Sequence, residues 1–195
     1  MSTRAKPSSL KKWAFVVGIA PLAYAMVVAS GCASVPDETR FTRLQVPDRT
    51  QFQTAGVSSF LERRCGTLDC HGQSSRALRI YGQFGLRSPT SLDAAVTSNS
   101  SPTTDQEYAS NFQSVVSLEP EELTRVVANK GVGAGRLLLI LKALGYEPGK
   151  NEEGVQHKGG SLIKQATNDY GYICLVSWLE GSADADACGK AQSAY

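Results

Sequence analysis

The sequence predicts a mainly α-helical fold, and three observations carry that expectation. Apolar residues recur at helical spacing in four separate stretches, helix start and stop signals bracket them, and no series of alternating apolar and polar residues marks out strands. The first helix is expected over residues 57–65, with Ser58 as its cap and Val57, Phe60, Leu61 and Arg64 at helical spacings. Residues 66–87 are rich in Gly, Arg and Ser, with Tyr81, Phe84 and Leu86 expected in the core, and the Ser-, Thr-, Asn- and Pro-rich stretch 88–104 reads as a surface loop. Periodicity resumes at Ser117: Glu119, Glu121 and Glu122 favour a helix start, Leu123, Val126 and Val127 line one face, and Gly131 ends it. Residues 136–144 are apolar on nearly every side, which predicts a buried helix stopped by Gly145. A glycine-rich loop over 147–161 carries His157. The last regular element is expected over 169–180, with Tyr172, Leu175, Val176 and Leu179 as its buried stripe and Trp178 beside them.

The N-terminus follows a different logic. Arg4, Lys6, Lys11 and Lys12 precede an apolar run from Trp13 that ends in Ala29-Ser30-Gly31, just before Cys32. This segment resembles a bacterial lipoprotein signal, departing from the usual box in carrying Ala29 where a leucine is commoner. The resemblance implies cleavage before Cys32, lipid on that cysteine, and a chain held at the periplasmic face of a bacterial membrane. An uncleaved anchor is the competing reading, since the run is about long enough to span. The expected organisation is a signal over 1–31, a tether over 32–55 marked by Pro36 and Pro47, and one domain over 56–195. The signal removes four of the 20 basic residues and none of the 18 acidic ones, leaving 164 residues with 16 basic against 18 acidic side chains. That net −2 offers no basic stripe for nucleic acid.

With Cys32 assigned to lipid, four cysteines remain, an even number for an oxidising compartment: Cys65, Cys70, Cys174 and Cys188. Cys174 and Cys188 are expected to form a disulfide that closes the tail onto the last helix. The informative motif is Cys65-Gly66-Thr67-Leu68-Asp69-Cys70-His71-Gly72. Two thiols followed by an imidazole suit covalent haem attachment: the thiols add to the vinyl groups and His71 takes the iron as proximal ligand. The commoner spacing has two residues between the cysteines and this chain has four, so a bulged loop must absorb the difference, with Gly66 and Gly72 permitting it.

This stretch resembles the attachment site of a c-type cytochrome in its longer-spaced variant. The order around it is similar too: a helix with Phe60 leading into Cys65, the apolar segment 136–144, the loop His157-Lys158-Gly159-Gly160, and an aromatic-bearing helix packed across the first. The resemblance implies a small cytochrome-c-like helical domain with long loops, covalent haem c, single-electron transfer in the cell envelope, and a redox protein or larger envelope complex as partner. Arg76, Arg79 and Arg87 follow the motif, and one or two of them would neutralise the haem propionates; a solvated basic face is the alternative. Both methionines, Met1 and Met26, fall in the signal, so the sixth iron position is left to His157, to water, or to Lys158 or Tyr146. Two imidazoles would give a lower potential than a histidine–methionine pair.

Other readings of the motif stay open at this level. Cys65 and Cys70 would close a small disulfide loop in a haem-free lipoprotein acting as an accessory or structural subunit of an envelope complex. A zinc site would need His157 as a fourth ligand beside Cys65, Cys70 and His71. Enzymatic classes find little support. There is no nucleophile elbow, Gly131-Val132-Gly133-Ala134-Gly135 lacks the lysine and preceding strand of a phosphate loop, and no carboxylates pair as acid and base.

Overall fold

Among the described residues the secondary structure is seven α-helices and one 3-10 turn, with no strand. The structure is a computed structural model that describes residues 43–88, 101–149, 152–164 and 167–193. The expected signal 1–31, Cys32 and most of the loop expected over 88–104 lie outside these residues. The helices are α1 (Arg49–Thr54), α2 (Val57–Arg64), α3 (Asp105–Val116), α4 (Pro120–Ala128), α5 (Leu138–Leu144), α6 (Tyr170–Glu180) and α7 (Ala185–Ser193), with the 3-10 turn Ala134–Arg136 leading into α5. None of them is long and apolar enough to cross a membrane.

An aromatic cluster anchors the core. Phe52 and Trp178 are wholly buried with ring centroids 5.1 Å apart, and Phe112 stands edge-on to Phe52 at 5.5 Å. Trp178 therefore lies at the centre of the packing and not beside the stripe of α6, while Tyr172 and Val176 are only partly buried. Its indole Nε1 donates to the Asp48 carbonyl at 2.8 Å. The helical domain accordingly begins before residue 56. The second half of the expected tether is part of the fold because Phe52 fills the core and Gln51 bonds the Gly181 carbonyl and the Ala183 amide.

Helix α6 crosses α2 closely. A Cβ on Gly171 would stand 2.7 Å from Phe60 Cζ, so only glycine lets the two approach this far. Helix α7, which sequence periodicity missed, then folds back on α6 and is joined to it by the Cys174–Cys188 disulfide. With a sequence separation of 14, that link contributes about 3 kcal/mol in the chain-entropy account.

Three other expectations are corrected. Ser58 does not cap α2; Gly56 occupies the cap position, and the Ser58 hydroxyl donates to Glu62 inside the core. Phe84 and Leu86 are 40% and 38% exposed, and Leu78 and Ile80 take the core positions instead. Helix α5 is buried through Ile140, Ala143 and Leu144 but leaves Leu138 40% exposed, because two short turns cannot cover every side of an apolar run.

Helix α3 was not expected at all. Thr104 and Glu107 form a capping box at its start, and Phe112, Val115 and Val116 bury its inner face. Glu107 also accepts from Arg87 at both carboxylate oxygens, 2.8 Å each, with the two side chains 2% and 5% exposed. Arg87 bonds the Ser101 and Pro102 carbonyls as well, so its guanidinium ties the 88 and 101 ends of the loop to α3.

Replacing Arg87 by alanine would leave a buried carboxylate uncompensated, and denaturant titration should show a loss of about 3–5 kcal/mol. Burial pushes Glu107 up, but Arg87 and the Thr104 and Ser88 amides outweigh it and hold the carboxyl below its ordinary 4.5. On acidification the unfolded chain takes that proton first. The stabilisation is therefore complete above pH 4.5 and lost as pH falls through the folded-state value. Glu62 shifts upward, chiefly through burial, and works in the opposite direction. The acid limb of denaturation should therefore be compared with that of Glu107→Gln, in which the Glu107 contribution disappears.

Candidate functional site

Cys65 ends α2, and the chain then turns back on itself. The Thr67 carbonyl accepts from both the Cys70 and the Gly72 amides at 2.9 Å, and the His71 amide returns to the Cys65 carbonyl at 2.8 Å. The four residues between the cysteines are thus taken up by one tight turn. Glycine is needed here for space. A Cβ on Gly72 would stand 2.2 Å from the Gly66 carbonyl oxygen, and one on Gly85 would stand 2.1 Å from the same atom. Leu86 closes the arrangement by donating to the Gly72 carbonyl at 2.9 Å.

His71 is aimed by the segment just downstream. Its Nδ1 lies 2.8 Å from the Leu78 carbonyl, and its own carbonyl accepts from the Ile80 amide at 3.0 Å. A carbonyl can only accept, so Nδ1 carries the proton and Nε2 keeps its lone pair outward. Residues 78–81 have no regular structure of their own. Helix α3 holds them: Asn111, wholly buried, accepts from the Tyr81 amide at 2.7 Å and donates to the Tyr81 carbonyl at 2.8 Å, and Ser114 accepts from the Arg79 amide at 2.9 Å.

His157 comes beside His71 from the far half of the sequence. The two imidazole rings lie 6.0 Å apart between centroids with planes only 11° from parallel. Burial lowers the His71 pKa, with the Leu78 carbonyl opposing and the charges of His157 and Arg76 adding to the drop. His71 is therefore a neutral imidazole at neutral pH, the form in which the ring binds a metal.

The thiols are unpaired. Cys65 and Cys70 are free, the former buried and the latter partly exposed. Burial pushes the Cys65 thiol up to about 12, with Cys70 adding to the shift and Arg64 opposing it. Of the arginines, Arg76 is exposed and lays its Nε on the Cys70 carbonyl at 3.1 Å. Arg79 is engaged within its own loop, by the Tyr81 hydroxyl at 2.9 Å and by the Ser74 carbonyl. Arg87 belongs to the Glu107 pair and is structural.

Among the described residues no three or more His, Cys, Asp or Glu side chains converge on one point. The four-ligand shell of a structural zinc is thus not assembled here. A haem asks for less, because the porphyrin supplies four donors and the protein only the axial ones. What this chain offers toward that demand is two free thiols with four residues between them, followed by an imidazole whose Nδ1 is anchored to a carbonyl as in metal-ligating histidines. Comparison of the chain with protein-family models, curated proteins and solved structures finds no match.

Sequence periodicity missed Asn111, Ser114 and Leu78, the residues that position His71. The signal that would have found their helix is Thr104 followed three residues later by Glu107. Two outcomes follow. Asn111→Ala strips both partners from the buried backbone of Tyr81 and should cost about 2–5 kcal/mol, read by denaturant titration. In chain made without haem attachment, a maleimide should label Cys70 on the order of tenfold faster than Cys65, as peptide mapping over time would show.

Proposed function

We propose that this protein is a lipid-anchored c-type cytochrome of the bacterial envelope, carrying one haem attached through Cys65 and Cys70 with His71 on the iron. The observation that carries the reading is His71 itself: next to two free thiols, its Nδ1 is committed to Leu78, which leaves Nε2 for a metal. Exported chains rarely keep a thiol pair free, and the two tail cysteines already satisfy each other. Thioether bonds would account for the remaining two.

The haem would supply a one-electron redox centre, and the chain's work is to hold it. The glycine-packed turn fixes where the thiols and the imidazole stand relative to one another. The same segment leaves Leu68, Phe84 and Leu86 exposed by 51%, 40% and 38%, with the Arg63 guanidinium lying over the Phe84 ring at 5.0 Å. Arg76, exposed over the motif, is the cation best placed for a propionate; Arg79 is tied to Tyr81 and would have to be released first. No substrate cavity is required of a carrier. Its partners would be other redox proteins or a larger envelope complex, met at the periplasmic face where lipid on Cys32 keeps it.

Protein purified from a host able to attach haem should be red, show a Soret band, and give a pyridine haemochrome of a haem bound by two thioethers. The colour should survive acid–acetone extraction, and Cys65→Ala with Cys70→Ala should abolish it. Colourless protein with Cys65 linked to Cys70 would overturn the haem reading and leave a disulfide-stapled chain.

A further inference from the structure

We propose that His157 is the second axial ligand of this haem, so that the iron is closed on both sides by imidazole and the centre is a low-potential carrier that admits no small ligand. This rests on the haem reading above and extends it to the opposite face of the iron.

Three observations carry it. The first is the ring pair. Metal–imidazole bonds run about 2.0–2.1 Å, and with the ring radii added, two imidazoles sharing one metal from opposite sides have centroids roughly 6 Å apart. The observed separation, 6.0 Å between rings stacked 11° from parallel, fits that distance, and ligation would bring the two Nε2 edges to face each other. The second is that both rings are prepared alike. His157 Nδ1 lies 2.9 Å from the Gly160 carbonyl, as His71 Nδ1 does from Leu78, so each ring has its remaining lone pair on Nε2.

The third is that the loop is built to hold the ring. The Gly160 amide donates back to the His157 carbonyl at 3.0 Å, closing a turn in which Gly160 has φ 76°, and a Cβ on Gly159 would stand 3.1 Å from His157 Cε1. Both flanks are pinned to the end of α5. Val155 donates to the Leu141 carbonyl and Lys142 to the Gln156 carbonyl on one side, while the Leu162 and Ile163 amides share the Ala143 carbonyl on the other. Gly154 packs so tightly on Gly145 that a Cβ would fall 2.0 Å from its carbonyl oxygen. A ring held this way loses little freedom on ligation. The chemistry of the chain agrees: its methionines are Met1 and Met26, both within the signal, so no thioether remains to raise the potential.

The test uses the full-length haem-loaded protein, its haem content fixed by pyridine haemochrome. Wild type should be low-spin in both oxidation states by absorption and electron paramagnetic resonance, and carbon monoxide should leave the reduced spectrum unchanged. His157→Ala should turn high-spin and bind carbon monoxide at once, and added free imidazole should restore the low-spin spectrum. His157→Met, which keeps a ligand in place, should stay low-spin with its midpoint potential shifted upward, and it decides the matter if the alanine variant fails to accumulate. A loaded wild type that is high-spin or binds carbon monoxide readily overturns the proposal. So does a His157→Met variant whose spectrum and potential equal those of wild type. Wild type without haem removes the function proposed above and this inference with it, a result distinct from either.

Discussion

One buried carboxamide holds the candidate site in shape. Asn111 pairs both of its polar atoms with the backbone of Tyr81, which fixes a segment with no ladder or helix of its own. Ser114 repeats the device at Arg79, and from that segment Leu78 and Ile80 reach His71. The imidazole is therefore oriented by α3, which is itself set by Phe112, Val115 and Val116 in the core and by the Thr104–Glu107 capping box. A change on the inner face of α3 reaches the ring through four residues of irregular backbone. Buried amides left without partners are costly, so the pairing is all or nothing.

Glycine supplies the second constraint. Gly66, Gly72 and Gly85 meet around one carbonyl oxygen, Gly171 lets α2 and α6 touch at Phe60, and Gly145 and Gly154 do the same for the His157 loop. A methyl group has no room at Gly66, Gly72, Gly85, Gly154 or Gly171, and Gly145 holds a φ of 63° that side chains rarely adopt. Together they make the long loops of this chain compact, so that imidazoles 86 residues apart in sequence come to stand parallel. The haem reading gains from this convergence because a porphyrin leaves only two positions for the protein to fill.

How much of this was legible beforehand follows from where the information lies. The helical class, α2, α4 and α6, the stop at Gly145 and the tail disulfide could be read from apolar spacing, from glycine and from the even number of cysteines. Helix α3 was hidden because its buried face carries Glu107 and Asn111, polar residues whose burial makes sense only once Arg87 and Tyr81 are beside them. Helix α7 was hidden by small residues: Ala187, Cys188 and Ala191 make a buried face that apolar periodicity barely registers. Phe84 and Leu86 were placed in the core on residue type alone, whereas Leu78 and Ile80 earn burial from the α3 contacts. At the site, the motif named Cys65, Cys70 and His71, and His157 was singled out for its loop. Their mutual geometry depends on side chains of α3 and on the Leu141 and Ala143 carbonyls and Lys142 of α5, none of which carries a local signature.

The proposed function turns on where two sulfur atoms are bonded, and intact mass of the mature protein addresses that directly. A mass equal to polypeptide from Cys32 plus acyl groups plus one haem, with Cys65 and Cys70 closed to alkylation before and after reduction, is the predicted result. Polypeptide and acyl groups alone, with a Cys65–Cys70 linkage that opens on reduction, would contradict it.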